Sequence, residues 1–106
     1  MTLAEKMNKK EEMLAEAYAT LSLCLASLPE SRHASIKAQF DYCCDAIARG
    51  GPTERIKELN FGIIATRELD MWGDQPEAAR KINAFEDKMK TYALELALER
   101  KDKLES

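Results

Sequence analysis

Apolar residues recur at helical spacing in four stretches of this chain, separated by three short breaks. The breaks are Ser27-Leu28-Pro29-Glu30-Ser31, Gly50-Gly51-Pro52-Thr53 and Gly73-Asp74-Gln75-Pro76, and each joins a helix stop to a helix start. The first predicted helix runs from about Leu3 to Leu28. Thr2 and Glu5 have the spacing of a capping box at its start. Met7, Leu14, Leu21 and Leu28 repeat every seven residues, with Ala17, Tyr18, Cys24 and Leu25 between them, and predict one apolar stripe. Lys9, Lys10, Glu11, Glu12 and Glu16 predict a solvated face. The second helix spans about Arg32 to Arg49, with Gly50 as its C-terminal cap. Ile36, Phe40, Cys43 and Ile47 face the core, and Asp45 can pair with Arg49 one turn on.

The third helix is predicted from Thr53, as N-cap, to Gly73. Ile56, Leu59, Ile63 and Thr66 form one face, widened by Phe61, Ile64, Ala65 and Leu69. Gly62 costs about 1 kcal/mol relative to alanine in mid-helix, and close approach of another helix is the reason expected for it. The fourth helix opens at Asp74, with Glu77 completing a second capping box and Pro76 harmless in the first turn. Ala78, Ile82, Phe85, Met89, Tyr92 and Leu96 form its stripe. The charged tail from Glu99 to Ser106 is expected to fray. Short connections make neighbouring helices antiparallel, so the expected fold is all-α, an up-down bundle of four helices in one domain, residues 1–106.

Composition agrees with this pattern. The chain has 106 residues, four glycines and three prolines, which favours long helices over strands and turns. Sixteen basic and nineteen acidic residues are interspersed, for a net charge of −3, so no basic stripe suggests nucleic acid. The polar Met1–Lys10 segment is no signal peptide, and no apolar run is long enough to span a membrane. Cys24, Cys43 and Cys44 are an odd set without CxxC spacing, read as reduced thiols of a cytoplasmic protein.

Candidate chemistry is sparse. His33 and Cys43 lie about 15 Å apart along one helix, too far for base and nucleophile. Cys24 and His33 have nothing to orient them. Cys24, His33, Cys43 and Cys44 reach the count for zinc, but adjacent cysteines point about 100° apart on a helix. Arg49-Gly50-Gly51-Pro52 lacks the Lys-Ser/Thr pair of a phosphate loop. No catalytic residue, metal site or cofactor is therefore expected. The run from Leu59 to Trp72 stands apart: it is the most apolar stretch, yet it ends in charge and an aromatic. Arg67, Glu68, Asp70, Met71 and Trp72, extended by Asp74, are the candidate partner-binding residues, since Trp, Met and Arg are enriched in interface cores. The alternative is an ordinary helix end with a half-buried Trp72 capping the bundle.

The order Leu59-Asn60-Phe61-Gly62-Ile63-Ile64-Ala65-Thr66-Arg67-Glu68-Leu69, followed by an acidic turn and Pro76, resembles a family of small helical immunity proteins. These protect bacteria against toxins of the type VI secretion system, and one group neutralises an NAD(P)+ glycohydrolase toxin. The shared signature falls on Leu59, Gly62, Ile64, Ala65, Arg67, Glu68, Leu69 and Pro76. This chain departs from it in a longer first helix, an extended charged tail, and Met71-Trp72-Gly73 where acidic residues are common. The resemblance implies a cytosolic antitoxin, not an enzyme, that occludes the active site of a cognate toxin. The alternative is a structural module that forms a homodimer through the heptad stripe of helix 1, and a third reading is a small enzyme or metal sensor using Cys43 and Cys44.

Overall fold

The backbone begins helical as soon as Thr2 can cap it: its hydroxyl accepts the Glu5 N–H at 3.2 Å, and α1 runs Leu3–Ser27. The computed structural model describes residues 2–50 and 53–105, with side chains up to Glu99. Leu28 turns extended before Pro29, a residue that disfavours helix in its predecessor, and α1 stops there. Helix α2, Glu30–Arg49, starts directly after Pro29, two residues before the predicted Arg32. It ends on Gly50 in the left-handed conformation (φ 76°), as predicted. Ile36, Phe40, Cys43 and Ile47 are all buried, and Asp45 pairs with Arg49 at 2.9 Å.

The α1 stripe differs from its prediction. The core takes Met13, Ala17, Cys24 and Leu28, while Leu14 and Leu21 pack at its edge. Met7 and Tyr18 are 54% and 60% exposed. A seven-residue repeat drifts about 20° per heptad around a straight helix. The stripe therefore meets the core at Leu28 and has rotated away from it by Met7. Part of the predicted solvated face is also engaged. Lys6 pairs with Glu99, Lys9 with Glu95 and Glu16 with Lys88, at 3.7, 2.8 and 2.9 Å. These pairs descend the last helix as they climb α1, so those two helices are antiparallel.

That last helix is α4, Pro76–Glu105. Pro76 occupies its first turn, and Ala78, Ile82, Phe85, Met89 and Tyr92 are buried as predicted, with Leu96 packed beside them. The second capping box does not form. Glu77 reaches forward to Arg80 at 3.1 Å, and Asp74 makes no side-chain hydrogen bond among the described residues. The backbone is helical to Glu105, and Ser106 lies outside the described residues.

The third predicted helix is the main correction. Thr53 starts no α-helix; a 3-10 turn covers Ile56–Glu58, and the chain is non-helical at Leu59 and Asn60. Helix α3 is only Phe61–Ala65 and continues as a π-helical turn, Thr66–Met71. The new start puts Phe61, Gly62, Ala65 and Leu69 in the core and leaves Ile63, a predicted core residue, 55% exposed. Phe61 meets the rings of Phe40 and Phe85 at 4.6 and 6.1 Å between centroids, and Phe40 meets Phe85 at 5.6 Å. All three phenylalanines of the chain thus join α2, α3 and α4. The fold is an all-α bundle of four helices, three long and one short. Among the described residues, no helix is long and apolar enough to cross a membrane.

Candidate recognition surface

A helix of five residues is too short to persist by itself, because nucleation orders several residues for very few hydrogen bonds. Its neighbours supply what α3 lacks. Gln39 on α2 turns its side-chain carbonyl to the free amides of Asn60 and Phe61, at 2.9 and 3.1 Å. Its Nε2 donates to the Asn60 side chain at 2.7 Å. Glu86 on α4, 7% exposed, accepts the Gly62 N–H at 3.3 Å and pairs with Lys90 at 3.6 Å. The N-terminus of α3 is therefore capped from two other helices, and a buried anion sits at its positive end.

At Gly62 α4 approaches α3 closely, as predicted. A Cβ there would lie 2.5 Å from Asn83 Oδ1 and 2.9 Å from Glu86 Oε2. The two N–H groups of Asn83 Nδ2 are shared among the Gly62 carbonyl, the Thr66 hydroxyl and the Ala79 carbonyl, at 3.1, 2.9 and 2.8 Å. The turn that follows ends with Trp72 N–H on the Arg67 carbonyl at 2.9 Å, a five-residue step. Gly73 then passes so close to the Glu68 carbonyl oxygen that a Cβ would sit 2.7 Å from it. That neighbour is backbone, so only glycine fits.

One side of this segment is spent on the core and the other on solvent. Phe61, Ala65 and Leu69 face inward at four-residue spacing. Ile63, Arg67, Met71 and Trp72 fall on the other side; Met71 and Trp72 are 67% and 68% exposed. Trp72 is thus no half-buried cap. Arg67, Asp70 and Asp74 are exposed, and their side chains make no ion pair or hydrogen bond among the described residues. Glu68 is placed differently. Its side chain is 17% exposed and accepts from Arg32 Nε and Nη2, both at 3.2 Å, which ties the turn to the start of α2. The structure thus leaves five of the six expected residues open to solvent and engages Glu68 internally. It adds Ile63 to the surface, and Arg32, Gln39, Asn83 and Glu86 beneath it. Two polar residues, Asn83 and Glu86, on the inner flank of an apolar stripe were the available signal, since buried polar groups need partners.

Burial raises the pKa of all three thiols. Burial pushes Cys24 up to about 12, and burial, then Cys44 and Glu86, push Cys43 up to about 12. Burial and Asp41 raise Cys44 as well. His33 Nε2 lies 2.9 Å from the Leu28 carbonyl, where it supports the α1–α2 turn. Among the described residues, no group of three or more His, Cys, Asp or Glu is placed to hold a metal ion. A cleft of about 250 Å³ lies at the opposite end of the bundle, lined by Leu3, Met7, Ile47, Tyr92 and Leu96, and ion pairs Lys6–Glu99 and Lys9–Glu95 close on its rim. Compared with protein-family models, curated proteins and solved structures, the chain finds no match.

Proposed function

We propose that this protein is an immunity protein, a non-enzymatic antitoxin that acts in the cytoplasm by binding a cognate secreted bacterial toxin and covering its active site. The observation that carries this reading is the solvent-facing stripe of Ile63, Met71 and Trp72 beside the exposed charges of Arg67, Asp70 and Asp74, which have no ion pair among the described residues. Large exposed aromatic and thioether side chains next to exposed charges have the make-up of an interface centre. Met71 and Trp72 act as apolar anchors, and Asp70 and Asp74 meet basic groups of the toxin. Glu68 ties the turn to Arg32 at the start of α2. The resemblance of the Leu59–Leu69 signature to immunity proteins of type VI secretion effectors supports the class. It makes an NAD(P)+-consuming toxin the first candidate partner.

The test is co-expression with the toxin encoded beside this gene. Growth is restored and the two proteins co-elute on gel filtration; no rescue and no complex sink the reading. Trp72→Ala and Asp70→Lys each weaken binding by about 30-fold or more, the scale of an interface hot spot. Both leave thermal unfolding nearly unchanged, because exposed substitutions move stability by only about ±0.5 kcal/mol. A Trp72→Ala variant that melts far earlier would place Trp72 in the structural framework instead.

The rival reading is a module that dimerises through α1, favoured by its exposed Leu3, Met7 and Tyr18. A monomeric mass by light scattering at high concentration removes it.

A further inference from the structure

We infer that Asn83 is the positioning residue of the recognition turn: from α4 it holds the Gly62 carbonyl and the Thr66 hydroxyl, and so sets the π register that points Met71 and Trp72 outward. The consequence for binding rests on the function proposed above; the register itself does not.

The change from α to π spacing occurs at Thr66. Its N–H is shared between the carbonyls of Gly62 and Ile63, and by Trp72 the ladder has moved to a five-residue step onto Arg67. At the switch, the Gly62 carbonyl is claimed three times: by the Thr66 N–H, by the Thr66 hydroxyl at 3.0 Å and by Asn83 Nδ2 at 3.1 Å. A carbonyl oxygen offers two lone pairs. A side chain entering the hydrogen-bond ladder, and a threonine hydroxyl bonding back one turn, are both recognised causes of helix distortion. Asn83 does the first and Thr66 the second, at the same oxygen. Asn83 is itself held in place, because Nδ2 also reaches the Ala79 carbonyl one turn back on its own helix at 2.8 Å.

Gly62 belongs to the same device. Its missing Cβ is what admits Asn83 and Glu86 to the backbone. A slip of one residue turns the following side chains by roughly 100° about the helix axis. Without the Asn83 clamp the turn relaxes towards α spacing, and Met71 and Trp72 leave the side of the helix they share with Ile63 and Arg67. Asn83 touches no partner; it works through the register it imposes.

Trp72 is the only tryptophan, so intrinsic fluorescence reports the turn directly. In the protein alone, Asn83→Leu and Gly62→Ala each shift Trp72 emission to the blue and lower its quenching by acrylamide, while helical circular dichroism is retained. Thr66→Val does the same to a smaller degree, and Thr66→Ser, which keeps the hydroxyl, behaves as wild type. With the toxin from the co-expression experiment, Asn83→Leu weakens binding by about 30-fold, the loss expected when an anchor is misplaced. If emission and quenching are unchanged in folded Asn83→Leu, Gly62→Ala and Thr66→Val, the inference is overturned. Should Asn83→Leu fail to fold, the Thr66→Val and Thr66→Ser pair decides it alone. A fluorescence change with unaltered toxin affinity supports the register role and overturns the placement of the toxin on this face.

Discussion

Helix α4 and the segment from Phe61 to Met71 pack against one another, yet different forces hold them. Helix α4 presents Ile82, Phe85, Met89 and Tyr92 in a continuous buried stripe, with Pro76 in its first turn. Burying such side chains stabilises by roughly 1.5–3 kcal/mol each, enough to determine where the helix lies. The Phe61–Met71 segment buries Phe61, Ala65 and Leu69, and its start and register also depend on polar side chains reaching in from α2 and α4. Apolar periodicity makes a helix that is insensitive to its ends. Capping from neighbouring helices makes a short one whose start and register are set from outside. The surface proposed for recognition grows on the second kind.

The largest effect comes from removing the ring that joins the two regimes. Phe61→Ala leaves a void against Phe40 and Phe85, and costs of about 3–5 kcal/mol are usual for such truncations. Urea unfolding should show it as a lower midpoint with an unchanged slope. Phe85→Ala, on the stripe of α4, should cost about as much. If Phe61→Ala instead costs well under about 1 kcal/mol, the segment is not anchored by its ring, and the contrast with α4 widens to the whole of residues 61–71.

A mid-sized effect separates capping from packing. Gln39→Ala leaves the Asn60 and Phe61 amides without their acceptor, and loss of a cap costs about 0.5–2 kcal/mol. Hydrogen exchange at Phe61 and Gly62 should accelerate more than at Ile82 or Met89, because the opening is local. Equal acceleration along α4 would mean that the segment and α4 open as one unit, and the distinction drawn between them would fall.

The same contrast explains what the sequence could and could not disclose. On α2 and α4 the apolar spacing named Ile36, Phe40, Cys43, Ile47, Ile82, Phe85 and Met89 as core, and each is buried. There packing decides, and packing follows periodicity. Gly50 as a stop and Gly62 as a close approach were legible because each has a local physical meaning. On α1 the heptad spacing was correct as a pattern but rotated off the core, since Met13 is buried where Met7 was expected. The break at Leu59-Asn60 was not legible: the group that determines it, Gln39, lies twenty-one residues away in sequence. The π turn was hidden for the same reason, with Asn83 on another helix. Local pattern named Arg67, Asp70, Met71, Trp72 and Asp74, and these are exposed, but it could not show that Glu68 is engaged by Arg32 or that Ile63 faces out.

The smallest effect tests that last link. Arg32→Ala removes the side chain that pairs with Glu68, which is largely buried while Arg32 is half-exposed. Ion pairs with an exposed partner are worth about 0.2–1 kcal/mol, so global stability should fall by no more than that. The difference should shrink as salt is raised, because screening weakens the wild-type pair and leaves the variant unaffected. Trp72 quenching should change little, since Asn83 and Gly62 still hold the register upstream. A quenching change as large as that of Asn83→Leu would transfer control of the turn from α4 to the start of α2. The two regions would then be joined by charge at their ends rather than by the polar clamp at their middle.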